Sequence, residues 1–274
     1  MNVTKIAGAL GAEISGIDLS RPLGTATARE IRNVLLEHQV IFLKNQPLKP
    51  TQFMAFAQAM GEPVEYPFVK GLDGFPHIIE VKKLAHERVN FGGIWHSDTT
   101  YLDCPPMGSM LLSHEVPPYG GDTLFASQYL AYETLSETMK RLLSGLMGIS
   151  SSSRADVSKT REDRIKSDGK QAAPTEYQAE QPVVRTHPET GRKALFVNVA
   201  HTEGIKGMTD EESAPLLEFL FRHQVKPEFT CRFVWEPSAI AFWDNRCVQH
   251  NPINDYHGFR RVMHRITLRG DKPV

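Results

Sequence analysis

Two side chains able to bind a metal, His96 and Asp98, stand two residues apart in Phe91-Gly92-Gly93-Ile94-Trp95-His96-Ser97-Asp98-Thr99-Thr100-Tyr101. In extended chain, residues i and i+2 share a face, so the imidazole and the carboxylate would point one way while Ser97 points back. A further ligand would complete a two-histidine, one-carboxylate facial triad. That set suits non-haem Fe(II) and leaves coordination positions open for substrate and dioxygen. The stretch Phe242-Trp243-Asp244-Asn245-Arg246-Cys247-Val248-Gln249-His250, far downstream, offers it. Alone, an HxD pair is weak evidence, because such pairs usually do no more than satisfy hydrogen bonds. The remaining histidines, including His38, His77, His114 and His223, read as structural.

A second pattern follows soon after His250. From Val262 to Leu268 the chain alternates, with Val262, His264, Ile266 and Leu268 on one face and Arg261, Met263, Arg265, Thr267 and Arg269 on the other. Guanidiniums are not sent inward without partners, and their planar fork matches carboxylate, sulfonate or phosphate. On alternation alone, the solvent side of an edge strand is the favoured reading of that face.

The elements that must position these groups fall into two zones. In the first 60 residues helix and strand alternate. Gly8 to Leu19 suggests short strands and a turn, and Thr27 with Glu30 forms a capping box for a helix carrying Ile31, Val34, Leu35 and His38. Val40-Ile41-Phe42-Leu43 reads as a strand buried on both faces. Pro50 opens a second helix with Phe53, Phe56, Ala57 and Met60 inward, closed by Gly61. From Ile78 onward short strands dominate: Ile78 to Val81, Gly108 to Ser113, Leu124 to Ser127, Ala194 to Asn198, Phe229 to Trp235, Ile240 to Trp243 and Val262 to Leu268. Two helices interrupt them. One follows Ser136 with Met139, Leu142, Leu143 and Leu146 on a face, and the other opens with the Thr209 to Glu212 capping box and continues through Leu216, Leu217, Phe219 and Leu220. The expected class is α+β, mainly β, as a sandwich or jelly roll with helices outside.

Composition sets the boundaries. The 274 residues are expected to form one domain, 1–274, large enough for a sizeable core. With 31 Lys and Arg against 32 Asp and Glu, intermixed, there is no electrostatic footprint for nucleic acid or an anionic membrane, and the expected partner is a small molecule. No apolar leader or spanning run is present. Three widely spaced cysteines, Cys104, Cys231 and Cys247, suggest neither a disulfide framework nor a zinc site, and fit a cytoplasmic protein. No pattern encodes oligomeric state, and a homo-oligomer is compatible with the sequence. Residues 150–181 are serine-rich and then densely charged, with Val157 and Ile165 the large aliphatics. They read as a mobile lid or a passive surface excursion.

Taken together, Trp95-His96-Ser97-Asp98, Gly120-Gly121-Asp122-Thr123, Trp243-Asp244-Asn245-Arg246 with His250, and Arg260-Arg261 through Arg265 resemble the taurine dioxygenase and 2,4-dichlorophenoxyacetate dioxygenase (TauD/TfdA) family. These are Fe(II)- and 2-oxoglutarate-dependent enzymes, and the resemblance spans nearly the whole chain. It implies a double-stranded β-helix, or jelly roll, flanked by helices. It implies His96, Asp98 and His250 as iron ligands, Thr123 and Arg261 as the grip on 2-oxoglutarate, and Arg265 as the contact for an anionic prime substrate. The reaction it implies consumes O2 and 2-oxoglutarate, releases succinate and CO2, and hydroxylates a small organic anion such as a sulfonate, a sulfate ester or an aryloxyalkanoate. Tyr66 stands where taurine dioxygenase has a substrate-binding histidine, which makes taurine itself doubtful, and Asn90-Phe91-Gly92-Gly93 is expected to form the other pocket wall. A zinc hydrolase would use the same His/Asp/His set around an activated water, leaving Thr123 and Arg261 without a task.

Overall fold

The run Val40-Ile41-Phe42-Leu43 shows how the chain divides its interior. Ile41 and Leu43 join one apolar core and Val40 and Phe42 another, so the strand is buried on both faces, as its unbroken apolar sequence requires. The computed structural model describes residues 1–153 and 176–274. Its strands are β1 Asn2–Lys5, β2 Ala12–Ser15, β3 Val40–Leu43, β4 Pro63–Val64, β5 Ile79–Lys83, β6 Gly108–Glu115, β7 Thr123–Ser127 and β8 Met147–Ser151. They continue with β9 Gln178–Pro182, β10 Val184–Thr186, β11 Lys193–Leu195, β12 Thr202–Ile205, β13 Thr230–Phe233, β14 Ile240–Asp244, β15 Val248–Pro252 and β16 Arg261–Leu268. The helices are α1 Thr25–His38, α2 Pro50–Met60, α3 Gln128–Glu133, α4 Glu137–Leu143 and α5 Asp210–His223.

The large sheet runs β1-β2-β3-β14-β6-β16-β4, with β5 also paired to β16, and faces a smaller sheet β13-β7-β15. Between them lies the core that holds Phe42, Phe125, Phe233, Trp243 and Met263, in which the Phe42 and Phe233 rings stack at 4.1 Å. This is the two-sheet jelly-roll arrangement expected from the strand pattern. On the opposite face of the large sheet, Ile31 and Leu35 of α1 and Phe53, Phe56 and Met60 of α2 cover Met110, Leu112, Phe242, Ile266 and Leu268. Each such side chain, fully buried, contributes about 1.5–3 kcal/mol. A third cluster joins α3 and α5 to Leu195, Val197 and Ile205.

Strand β16 is an interior strand, hydrogen-bonded to β6 on one side and to β5 and β4 on the other, and the smaller sheet covers the face that carries Arg261 and Arg265, both buried; Arg269, beyond the end of the strand, is exposed and paired with Glu62 at 2.7 Å. Three local expectations are corrected. Helix α1 starts at Thr25 behind Gly24 with no side-chain cap, so Thr27 and Glu30 lie inside the helix rather than in a capping box. Leu142 is exposed, because α4 has only two turns and Leu143 takes the inward position. Phe219 of α5 is also outside, although the Thr209–Glu212 box forms as expected. In the 150–181 stretch, Ser150 and Ser151 are buried in β8, which pairs with β9; residues 154–175, where most of the expected lid falls, lie outside the described residues. Among the described residues no helix is long and apolar enough to cross a membrane.

A β-bulge between β6 and β16 makes His114 the extra residue and brings its ring to 3.9 Å from that of His264, which lies opposite Glu80 of β5. Burial and the His114 neighbour push the His264 imidazole down from 6.5 to about 4, with Glu80 opposing them. Unfolded chain therefore takes up a proton over an interval in which the folded chain does not, and stability must fall as pH drops from about 6.5 towards 4. The loss of urea stability between pH 7 and pH 5 should be smaller in His264→Gln than in the parent protein. An equal loss in both would remove His264 as a source of acid sensitivity.

Candidate metal centre and co-substrate pocket

His96 and His250 are paired through the backbone before their side chains are considered. The His96 amide donates to the His250 carbonyl at 3.0 Å and the His250 amide donates back at 2.8 Å. This single antiparallel bridge sets the two rings 4.1 Å apart. The stretch around His96 is otherwise not a strand, a correction to the extended reading. Thr99, with φ of 44°, turns the chain immediately after Asp98. Ser97 does point back, and its hydroxyl donates to the Val248 carbonyl at 2.8 Å. Gly92, at φ of 68°, lies against the His96 ring, and a Cβ there would stand 2.9 Å from His96 Cε1. Any other residue would therefore displace the imidazole.

Potential ligand atoms of His96, Asp98 and His250 all lie within 4.8 Å of one another, and all three residues are buried. His96 Nδ1 donates to the Ile94 carbonyl at 2.7 Å, which leaves the Nε2 lone pair facing Asp98 Oδ1 at 3.8 Å. Asp98 Oδ2 accepts from Ser109 Oγ at 2.6 Å, and Asn245 holds both the Ser109 hydroxyl and the Asp98 amide. Burial pushes both histidines below the usual imidazole range, against the pull of Asp98. Burial pushes Asp98 upward, but the Arg265 guanidinium, together with the Ser109 hydrogen bond, holds the carboxyl below its usual range. The centre thus presents two neutral imidazoles and a carboxylate, the protonation states that metal binding demands.

A cavity opens beside these three residues, lined by Thr123, Trp235, Arg261, Arg265, Phe91 and Val81 among others. Trp235 Nε1 donates to Thr123 Oγ1 at 2.9 Å, so the hydroxyl proton is left free to donate into the cavity. Arg261 is buried with Nε and Nη2 unpartnered, and its guanidinium lies 5.6 Å from the Trp235 ring. Arg265 stands four residues along, 3.4 Å from Asp98 Oδ1 and 4.8 Å over the Tyr66 ring, with Nη2 unpartnered. Asn90, expected in the pocket wall, is buried beside the cavity-lining Phe91 and Pro252. Its amide donates to the Pro252 carbonyl at 2.9 Å, pinning the Phe91–Gly93 loop beside β15, and Phe91 supplies the cavity wall.

The sequence model for "Taurine catabolism dioxygenase TauD, TfdA family" matches residues 2–267. The chain belongs to the TauD/TfdA family. It is 36% identical to an alkylsulfatase of Acinetobacter baylyi, over 99% of this chain and 86% of the relative. It is 35% identical to an α-ketoglutarate-dependent sulfate ester dioxygenase of Pseudomonas putida, over 100% of this chain and 91% of the relative. A crystal structure of a taurine dioxygenase from Burkholderia xenovorans superposes with a TM-score of 0.84 at 36% identity, covering 100% of this chain and 90% of that one.

Several residues of this TauD/TfdA site had no legible signal. Buried His201 accepts or donates at Thr100 Oγ1 at 3.0 Å, and burial together with His96 pushes it to about 3. Its ring stands edge-on to Tyr101 at 4.9 Å, behind the centre. Trp235, Ser109 and Asn245 are legible only through their partners. A second candidate ligand group, His187, Asp244 and Cys247, is already spent: Asp244 takes His187 at 3.0 Å and two bonds from Arg246 at 2.8 and 2.7 Å, while Arg246 also holds Glu189 at 2.8 Å. That network fixes the turn between β14 and β15, and with it the position of His250.

Proposed function

We propose that this TauD/TfdA chain is an Fe(II)- and 2-oxoglutarate-dependent dioxygenase that hydroxylates a small organic anion, with a sulfate ester or a sulfonate favoured over an aryloxyalkanoate. The observation that carries the reading is the pair of buried, incompletely partnered guanidiniums of Arg261 and Arg265 beside the His96, Asp98 and His250 centre. Two anions, one for each arginine, meet the need for partners that their burial creates. The order of substrates follows the relatives at 35–36% identity, which are named an alkylsulfatase and an α-ketoglutarate-dependent sulfate ester dioxygenase.

When bound, Fe(II) supplies O2 activation coupled to decarboxylation of 2-oxoglutarate to succinate and CO2. The protein's contribution is binding, orientation and exclusion of water. His96, Asp98 and His250 hold the metal, and Arg261 with the Thr123 hydroxyl takes the distal carboxylate of 2-oxoglutarate. Arg265, with Tyr66 stacked on it, meets the anionic end of the prime substrate, and Asn90 fixes the loop from which Phe91 closes the wall. A cytoplasmic setting, where Cys104, Cys231 and Cys247 stay as free thiols, is part of the same reading.

The test is a panel of alkyl sulfates, alkyl sulfonates and aryloxyacetates assayed for succinate release with Fe(II), 2-oxoglutarate and O2. At least one sulfate ester or sulfonate should raise succinate release well above the substrate-free rate. Sulfate release that needs neither O2 nor 2-oxoglutarate would identify a zinc-type hydrolase instead and sink the proposal.

A further inference from the structure

Beside Arg261, on the neighbouring strand, lies a second buried cation. Lys83 ends β5 directly across from Arg261 of β16, and directly opposed residues of an antiparallel pair share a face. Val81, two residues earlier on that face, lines the cavity. Lys83 therefore shares the face of the sheet that carries Arg261 and Val81, next to the cavity-lining residues although not itself one of them. It is 3% exposed, and Nζ has no hydrogen-bond partner. Its recorded contact is the face of the Tyr256 ring, 4.5 Å away.

Two cations on adjacent strands are thus both buried, and neither is paired with a carboxylate. The acid whose charge reaches Lys83 is Glu87, whose carboxylate takes the Leu84 amide at 2.6 Å. The acid whose charge reaches Arg261 is Asp122, already engaged by Arg232 at 2.6 Å. Tyr256 stands between the two, under the Lys83 ammonium and within the field of Arg261. A cation–π contact offsets only part of the cost of burying an ammonium. A methionine or leucine at position 83 would fill the same space without that cost, so the charge needs a partner that the described residues do not supply.

We infer that Lys83 is a second cation of the co-substrate pocket, standing with Arg261 at the distal carboxylate of bound 2-oxoglutarate. This rests on the reading of Arg261 and Thr123 as the 2-oxoglutarate grip. The dicarboxylate then meets a hydroxyl, a guanidinium and an ammonium. A monocarboxylic 2-oxo acid lacking the distal carboxylate would leave both cations unpaired, so Lys83 sharpens selection for the dicarboxylic co-substrate.

The experiment compares the parent protein with Lys83→Met, Lys83→Arg and Arg261→Ala. The dissociation constant of N-oxalylglycine, a non-reacting 2-oxoglutarate analogue, is measured calorimetrically on the Mn(II)-loaded protein, and melting temperatures are taken with and without it. Lys83→Met should weaken binding by roughly thirty-fold, the lower end for truncating one partner of a buried charge pair, and Lys83→Arg should recover most of the loss. Without ligand, Lys83→Met should melt at or above the parent temperature, since it removes an unpaired buried charge. A purely structural lysine would show the opposite, a lower melting temperature with unchanged affinity, and that result would overturn the inference. Unchanged affinity in Lys83→Met with weakened affinity in Arg261→Ala would reject Lys83 alone. Unchanged affinity in Arg261→Ala would reject the pocket reading beneath it.

Discussion

His250→Ala should reduce Fe(II)-dependent turnover by more than about 100-fold while leaving the fold intact. Residues that merely hold metal ligands in place cost roughly 10- to 100-fold when changed, and a ligand itself should exceed that range. The fold should survive because the bridge between positions 96 and 250 is made by backbone groups that alanine keeps. Removing the His250 imidazole breaks no hydrogen bond at Nδ1, and the loss is confined to ring packing against His96, Trp243 and Phe125. Asp98→Ala should be equally inactive but less stable, because it strips Arg265 of its buried carboxylate and Ser109 of its acceptor. Iron binding by equilibrium dialysis, succinate release and urea unfolding, taken on each variant, check this. A His250→Ala protein that kept normal turnover and iron affinity would show that the metal sits elsewhere.

The second large effect separates the two arginines of β16. Arg261→Ala should raise the KM for 2-oxoglutarate at least thirty-fold, because truncating one side of a buried charge pair costs about 2 to 5 kcal/mol. Its effect on the KM for the organic anion should be small. Arg265→Ala should do the reverse, with a further loss in kcat, because Arg265 also lies 3.4 Å from the Asp98 carboxylate and helps keep it ionised. Decarboxylation of 2-oxoglutarate without hydroxylation of the anion should persist in the Arg265 variant. Titration of each variant in each substrate decides the matter: equal losses in all four titrations would mean that the arginines act as one electrostatic patch.

The strand carrying those arginines was legible because its alternation is strict. What alternation could not tell was which face meets the cavity, since that depends on the smaller sheet packing against it, nor that β5 and β6 would make the strand an interior one. Strand β15 was missed for a different reason. Gln249, His250 and Asn251 look like loop residues, yet they are buried or half-buried, and Gln249 is held by a bond to the Val197 carbonyl at 2.9 Å rather than by apolar contact. The HxD pair was half legible. Its shared direction holds, but the chain around it is shaped by distant partners, Val248 through Ser97 and Asn245 through the Asp98 amide, which no local pattern contains. Nothing in the sequence singles out Lys83, which becomes notable only through its register with Arg261 and its burial. The two capping boxes were equal as patterns, but Thr209 begins its helix while Thr25 pre-empts Thr27.

The reciprocal bridge between His96 and His250 also bears on how the chain reaches its native state. The two ligands come from opposite halves of the sequence and meet only when β15 has docked on β7, a contact of long sequence separation whose loop-closure entropy must be met before it forms. A metal ion cannot gather this site early in folding, because unfolded chain offers it only the local His96 and Asp98 pair. Once the sandwich has closed, the ion binds the native state far better than the unfolded one and draws the equilibrium towards it by mass action. A metal held by these side chains would therefore act as a lock on a finished structure rather than as a seed for it.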